Sequence, residues 1–344
     1  MNAPFREPAS SRRHFLRQVG CGLAACAAGG FVPRLLAAGP PEPRALILIQ
    51  LEGGHDGLST FVPLEDEAYY RLRPTLALRR RDLVVLDGAA GLSPAGRGLE
   101  PLFKEGKLTV LPQVGYVDPS HSHFRSAEIW HTASAADERL YSGWLGRSLA
   151  IFEAQARPVT ACHGGRALPR ILVREEDLAH GGRPGPGDLR RPLTQAGDEA
   201  AVQLAEIGER AAGGAATELY FVAVPGFDTH FDQADRHAAR LAATVGALRT
   251  LQRRLERRGV AERVLTVVFS EFGRSVAENS QGGTDHGDSG PVLLLGPRVR
   301  GGFRGRDTAP LDFRRVLATV VDRWLQVPPI AVLGRHYDQL DLLS

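Results

Sequence analysis

Cysteine is nearly absent from this sequence of 344 residues, which contains only Cys21, Cys26 and Cys162. The first two lie in an N-terminal segment with the features of an export signal, so a single cysteine remains beyond that segment. One cysteine excludes an internal disulfide, even in an oxidising compartment. The folded part must therefore be stabilised by a hydrophobic core and by any metal ion that it binds. A content of 43% hydrophobic residues is ample for such a core.

The N-terminal segment also lacks an apolar run long enough for a permanent membrane span. Residues 19–32 are mildly apolar, rich in Ala and Gly, and too short to cross a bilayer. They follow the pair Arg12 and Arg13, an order that is typical of a twin-arginine export signal. We predict that residues 1–38 are a signal peptide cleaved near Ala38. The mature protein is then periplasmic or secreted and has no transmembrane span.

A second interpretation of this segment concerns Cys26. The three residues before it, Leu-Ala-Ala, resemble a lipobox, which would make Cys26 a lipidated N terminus. The apolar stretch in front of this cysteine would then be very short, so we prefer cleavage near Ala38. The proline-rich residues 39–43 are predicted to be a linker to the folded domain.

An excess of charge of one sign is missing once the signal is set aside. Residues 1–38 hold five arginines and one glutamate. Removing these from the totals of 42 basic and 39 acidic residues leaves 37 against 38, a net charge of −1. The sequence pI of about 8.9 is therefore mostly a property of the signal. A balanced charge gives no electrostatic reason to expect a nucleic-acid partner.

Apolar strand-like runs alternate with helical patterns along the rest of the chain. This alternation predicts one α/β domain over residues 44–344, with parallel strands joined by right-handed crossovers. Residues 160–216 are rich in Gly, Pro and Arg, and we expect them to form a surface excursion or cap rather than a second core. The strand candidates are residues 45–51, 108–115, 219–224, 264–269 and 291–296, and the main helix candidates are 99–105, 200–212, 241–255 and 313–325.

Carboxylates and imidazoles stand next to several of these strand candidates. Open α/β sheets place their chemistry in loops at strand ends, so side chains from separate strands can meet at one point. Asp, Glu and His together favour a divalent metal, zinc first because of the histidines, with manganese, magnesium and calcium as alternatives. The predicted ligands are Asp56, Asp228, His230, Glu271, Asp285 and His286.

Ordinary structural roles compete with ligation at some of these positions. Glu271 could cap a following helix, and Asp56 could form a turn with Gly57. The exposed pairing of Asp285 with His286 is the hardest to explain by packing. Five other histidines are expected on the surface or behind the ligands: His55, His121, His131, His163 and His180.

Five motifs of the sequence contain acidic, basic or imidazole side chains. They are Gly53-Gly54-His55-Asp56-Gly57-Leu58, Ser122-His123-Phe124-Arg125-Ser126, Phe227-Asp228-Thr229-His230, Phe269-Ser270-Glu271-Phe272-Gly273-Arg274 and Gly283-Thr284-Asp285-His286-Gly287. Together these motifs resemble the DUF1501 family of twin-arginine-exported bacterial proteins, in the alkaline phosphatase/sulfatase-like superfamily. The resemblance implies an alkaline-phosphatase-like, doubly wound α/β fold with a mostly parallel sheet flanked by helices. It also implies hydrolysis of phosphate or sulfate esters through a metal-activated Ser or Thr.

The resemblance also suggests catalytic residues, and at one position this chain differs from alkaline phosphatases. Ser122, with His123 and Arg125, is similar to the nucleophile segment of related enzymes, and Ser59 and Thr60 are alternative nucleophiles. Alkaline phosphatases have a ligating histidine where this chain has Phe272, which offers no lone pair. We therefore expect at most one tightly bound metal ion.

Two functions fit these features. The first is an exported metal-dependent hydrolase whose partner is a small-molecule or polymer ester. The second is a metal-holding protein without catalysis, which binds a partner protein of the cell envelope. A Ser or Thr hydroxyl beside the metal ligands favours the first.

Overall fold

The computed structural model describes residues 42–165, 167–181, 188, 190–193, 200–211, 214, 216–306 and 309–344. The predicted signal peptide and the Cys26 alternative lie outside these residues. Residues 43–344 form one compact unit. Within the described residues, every helix is too short or too polar to cross a lipid bilayer.

Strands and helices alternate as the sequence predicts. The strands are β1 (Ala45–Leu51), β2 (Phe61–Pro63), β3 (Val84–Val85), β4 (Ala90–Leu92), β5 (Leu108–Gly115), β6 (Val159–His163), β7 (Arg190–Pro192), β8 (Thr217–Val224), β9 (Val264–Phe269), β10 (Gly273–Glu278), β11 (Thr284–Gly287), β12 (Ser289–Leu295), β13 (Gly302–Phe303) and β14 (Leu311–Asp312). The helices are α1 (Glu67–Leu72), α2 (Glu100–Lys104), α3 (His123–Thr132), α4 (Trp144–Ala154), α5 (Glu175–Leu178), α6 (Ala200–Arg210), α7 (Gln233–Arg257), α8 (Phe313–Thr319) and α9 (Pro329–Leu333).

Nine strands form the main sheet, in the order β13-β5-β12-β9-β1-β8-β6-β7, with β14 paired to β5. All pairs are parallel except those of β12, which runs antiparallel to β9 and β5. The predicted mostly parallel sheet is confirmed. The reversal of β12 has a consequence for the site, because its first residues lie at the edge where β1, β5, β8 and β9 end.

The sheet is covered by helices on both faces, as a doubly wound fold requires. Every residue of β1 is buried, and its side chains alternate between two hydrophobic cores. Leu46 and Leu48 pack with α3, α4 and α8, whereas Ile47 and Ile49 pack with α6 and α7. The last predicted helix, 313–325, divides into α8 and a π-helical turn over Val320–Trp324.

The described parts of residues 160–216 differ from the expected surface excursion. Strands β6 and β7 pair in parallel with each other and continue the main sheet beyond β8. Helix α6 packs against α7, and its residues Leu204 and Ile207 are fully buried. The Gly- and Pro-rich composition concealed β6 and β7, because two short strands carry only a weak periodic signal.

Candidate metal centre

Side chains from three separate segments meet at the edge where the parallel strands end. One ligand atom each of His123, Asp228 and His286 lies within 4.8 Å of the other two. His123 begins α3 after β5, Asp228 follows β8, and His286 lies in β11 just before β12. The antiparallel course of β12 is the reason that a residue preceding a strand reaches the carboxyl ends of the others.

Three imidazole rings turn their Nε2 atoms toward the carboxylate of Asp228. Nε2 of His230 lies 3.0 Å from Oδ1, and Nε2 of His286 lies 3.3 Å from the same oxygen. Nε2 of His123 lies 3.4 Å from Oδ2. The Asp228 side chain is 44% exposed, so the cluster is open to a ligand from solvent. Partial burial alone would raise the pKa of Asp228, but the nearby histidines and Arg274 outweigh this effect and lower it.

The other ring nitrogen of each histidine is held by an oxygen. Nδ1 of His123 lies 2.9 Å from Oε1 of Glu271, and Nδ1 of His230 lies 3.2 Å from Oδ1 of Asp285. Nδ1 of His286 lies 2.6 Å from the main-chain oxygen of His121. A neutral ring that donates its Nδ1 proton to such an oxygen keeps a lone pair on Nε2. This is how metal-ligating histidines are oriented in proteins.

The distance between two of these lone pairs tests whether the cluster fits a cation. Nε2 of His230 and Nε2 of His286 are 2.9 Å apart. Two neutral rings held in this tautomer repel each other at that distance unless a positive charge lies between them. Burial lowers the pKa of His286, which favours its neutral form. The converging donors of His123, Asp228 and His286, with Nε2 of His230 beside them, are therefore of the kind that binds a divalent metal ion.

Glu271 and Asp285 were predicted as ligands, but the structure places both behind histidines. Both carboxylate oxygens of Glu271 have hydrogen-bond partners. Oε1 accepts hydrogen bonds from the Gly53 amide, at 2.8 Å, and from His123. Oε2 lies 3.3 Å from Nε2 of Gln50. Burial raises the pKa of Glu271, but these hydrogen bonds outweigh burial and lower it. Asp285 is 68% exposed and accepts a hydrogen bond from Asn279. Glu271 therefore orients the ring of His123, and Asp285 orients the ring of His230. Neither carboxylate belongs to the set of His123, Asp228 and His286.

Asp56 was also predicted as a ligand, and the structure places its carboxylate outside the converging set. It forms a buried ion pair with Arg73, with Nη1 2.7 Å from Oδ2. Ser59 and Gln233 donate to the same oxygen, and the Leu58 amide donates to Oδ1. Burial opposes ionisation of Asp56, but Arg73 outweighs it and lowers the pKa to about 2. Both oxygens are occupied, so this carboxylate anchors the fold beside the site.

Arg274 is a component of the site that the sequence did not reveal. Its side chain is fully buried, and Nη1 donates to Oδ1 of Asp228 at 3.0 Å. Nη2 is buried and has no hydrogen-bond partner in the described structure. The one available signal was its place at the end of the motif Phe269-Ser270-Glu271-Phe272-Gly273-Arg274, which helped to carry the family resemblance. Arg274 fixes Asp228 from the protein interior.

The three residues predicted to be catalytic lie in different surroundings. Ser122 is exposed at the N-cap of α3, and its side chain makes no capping hydrogen bond. His123 belongs to the converging cluster, as a ligand candidate rather than an acid or base. Arg125 is committed elsewhere, since it pairs with Glu128 at 2.9 Å and donates to main-chain oxygens, including that of Ala136. These partners hold Arg125 within its own helix and the following loop, and its catalytic role stays a prediction.

The alternative nucleophiles Ser59 and Thr60 are also committed. The hydroxyl of Ser59 donates to Asp56 at 2.6 Å, and Thr60 is fully buried with its hydroxyl 3.1 Å from Nε2 of His55. Neither faces the cluster. Ser122 is thus the one sequence-predicted nucleophile in the described chain that is exposed and adjacent to a ligand candidate.

Phe272 closes the cluster on its inner side. Its ring is buried, stacks on His286 at a centroid distance of 4.4 Å, and lies 4.9 Å from the ring of His123. The aromatic ring therefore packs the imidazoles in place where a histidine would offer a further nitrogen.

Comparison with known proteins agrees with this fold. The structure of the C-terminal periplasmic domain of EcEptC from Escherichia coli aligns over 87% of this chain and 89% of that chain, with 12% identity and a TM-score of 0.50. A second structure of that domain is a complex with Zn, with 13% identity, 88% and 93% coverage and a TM-score of 0.48. Murine ectonucleotide pyrophosphatase/phosphodiesterase 5, an inactive form in complex with AMP, aligns over 88% of this chain and 100% of that chain, with 11% identity and a TM-score of 0.49. At such identities the likeness concerns the fold alone.

The search of curated proteins gives no match. The profile of the family described as "Protein of unknown function (DUF1501)" matches residues 194–319. This range contains three of the motifs that carried the resemblance, those around Asp228, Glu271 and His286. The resemblance to the DUF1501 family is confirmed over this part of the chain, and the fold is alkaline-phosphatase-like.

Proposed function

We propose that the chain is a metal-dependent hydrolase of phosphate or sulfate esters, which acts in the periplasm or outside the cell. Asp228 and the Nε2 atoms of His123, His230 and His286 would hold one divalent ion. The observation that carries this proposal is the shared orientation of the three histidines. Each has Nδ1 held by an oxygen, and each directs Nε2 at one carboxylate.

Zinc is the metal that this donor set favours, because imidazole nitrogen and one carboxylate oxygen are its usual ligands. When bound, such an ion polarises a phosphoryl or sulfuryl oxygen and stabilises negative charge on an attacking oxygen. Glu271 and Asp285 would raise the basicity of their histidines by accepting the Nδ1 protons. Arg274 would keep Asp228 fixed and ionised.

Ser122 is the residue to which we assign the nucleophile. It stands between His121, whose carbonyl holds His286, and the ligand candidate His123. Its position at the start of a ten-residue helix places main-chain N–H groups and the positive end of the helix dipole beside an anionic ester. The serine oxygen would bond to phosphorus or sulfur while the ester oxygen leaves as an alcohol with a proton. Water would then displace the serine and release phosphate or sulfate.

The proposal is tested by metal analysis followed by assays on chromogenic phosphate and sulfate esters. We expect about one zinc ion per chain, hydrolysis of at least one ester class, and loss of metal in His286→Ala. Ser122→Ala should keep the metal and lose activity by at least about a hundredfold, because it removes only the nucleophile. Ser344→Ala is the control, since Ser344 is an exposed serine outside the cluster whose hydroxyl donates to the main-chain oxygen of Arg298.

The metal analysis and the ester assays also distinguish the hydrolase from a metal-holding protein without catalysis. Metal binding without hydrolysis of any ester would favour the metal-holding protein of the cell envelope. Preparations of the intact protein that bind no divalent metal would overturn both.

A further inference from the structure

Phe124 is the most exposed large hydrophobic side chain of the described chain, at 90%. It lies on the first turn of α3, directly after the ligand candidate His123. A phenyl ring in water beside a polar cluster contributes nothing to the core. Its burial would be favourable only when another apolar group covers it.

A groove of about 450 Å³ runs from this ring to the cluster. Phe124 and Ala127 of α3 line one side, and Pro225 and Gly226 of the loop after β8 line the other. His123 and Asp228 are among the lining residues, so a ligand in the groove reaches the proposed metal site. Side walls of phenyl, methyl and pyrrolidine groups favour a flat apolar occupant.

Carboxylates outnumber basic side chains in the lining of the groove, although Glu128 pairs with Arg125 and Arg139 and Glu271 pairs with His123. Glu52, Glu128 and Glu271 contribute carboxylates to the lining, and Arg170 is the one arginine or lysine among the lining residues. A second negative group on the ligand would meet like charge here. The anionic part of a ligand must therefore sit at the metal site, and the part in the groove must be uncharged.

We propose that this groove binds the aromatic, uncharged leaving group of the ester, with Phe124 as its stacking platform. This inference rests on the proposed function, since it places the phosphate or sulfate at the metal site. Stacked aromatic pairs and burial of an exposed ring together favour aryl over small alkyl esters. Phe124 is then a determinant of specificity for aryl esters.

The test measures binding of two non-hydrolysable phosphonates to the zinc-loaded full chain by calorimetry. Phenylphosphonate and methylphosphonate present the same anion, and they differ in the group that would enter the groove. We expect phenylphosphonate to bind about tenfold more tightly, which corresponds to about 1.4 kcal/mol. In Phe124→Ala this preference should fall to about twofold or less, while the affinity for methylphosphonate stays the same.

Phe231→Ala is the matched control. Phe231 is also an exposed aromatic residue, at 51%, and it follows the ligand candidate His230, but it does not line the groove. Its replacement should leave the preference for phenylphosphonate unchanged. Equal affinities for the two phosphonates in the unmodified protein, or a preference that survives Phe124→Ala, would overturn the subsite alone. Failure of both phosphonates and of benzenesulfonate and methanesulfonate to bind zinc-loaded protein would overturn the proposed function and this inference with it.

Discussion

Replacement of Glu271 by Gln should weaken zinc binding without removing a ligand. Glu271 is buried and accepts from Nδ1 of His123 at 2.9 Å and from the Gly53 amide at 2.8 Å, both at Oε1. Glutamine has the same shape and keeps a carbonyl oxygen for both donors. The substitution therefore keeps both hydrogen bonds at Oε1, and it removes the negative charge behind His123 together with the bond that Oε2 accepts from Gln50.

The expected size follows from the loss of charge. A hydrogen bond to a charged group contributes about 1.5–3 kcal/mol, and one between neutral groups contributes about 0.5–1.5 kcal/mol. The difference of about 1–1.5 kcal/mol corresponds to roughly a tenfold increase in the Kd for zinc. That value lies at the lower end of the roughly 10–100-fold effect of removing such supporting partners.

Competition of the protein with a chromogenic zinc chelator measures this Kd directly. Glu262→Gln is a suitable control because Glu262 is an exposed carboxylate outside the cluster, and its Kd should match that of the unmodified protein. An unchanged Kd in Glu271→Gln would show that the bond to His123 does not influence the site. A loss of more than about a thousandfold would show that Glu271 is itself a ligand, against the geometry described above.

Three further predictions concern acid stability, metal content and export. Burial is the main cause that lowers the pKa of His55 to about 3 and that of His237 to about 4, so both stay neutral in the folded state. Histidines in the unfolded chain gain protons below a pH of about 6.5. The free energy of unfolding should therefore fall by about 1.4 kcal/mol per histidine for each pH unit between about 6.5 and 4. Equal stability toward urea at a pH of about 6.5 and at a pH of about 5 would contradict this prediction. Because Phe272 offers no lone pair, purified protein should contain at most one tightly bound metal ion per chain, and two ions by elemental analysis would show that other residues complete a second site. Replacing both Arg12 and Arg13 by Lys should leave the precursor in the cytoplasm, and normal periplasmic accumulation on fractionation would refute the twin-arginine assignment.

The sequence alone was sufficient for the architecture and for the general position of the site. Continuous apolar runs such as β1 and β9 are typical of strands buried on both faces, and the helical pattern between β8 and β9 indicated a crossover. Carboxyl ends of parallel strands share one edge of a sheet, so polar residues after such strands were expected to meet. Asp228, His230 and His286 do converge in the structure, and their role as metal ligands stays a prediction.

Only the tertiary structure decided the role of each polar residue. Asp56 stands in a glycine-rich loop much like that of His286, yet it pairs with Arg73, which local spacing cannot place. Glu271 directs His123 across 148 positions of sequence, so its partner depends on how α3 packs onto the sheet. A buried carboxylate must find its hydrogen bonds wherever the fold supplies donors. The order of residues along the chain therefore predicted which side chains reach the edge of the sheet. Packing between elements that are distant in sequence determined which of these side chains direct lone pairs at a common point.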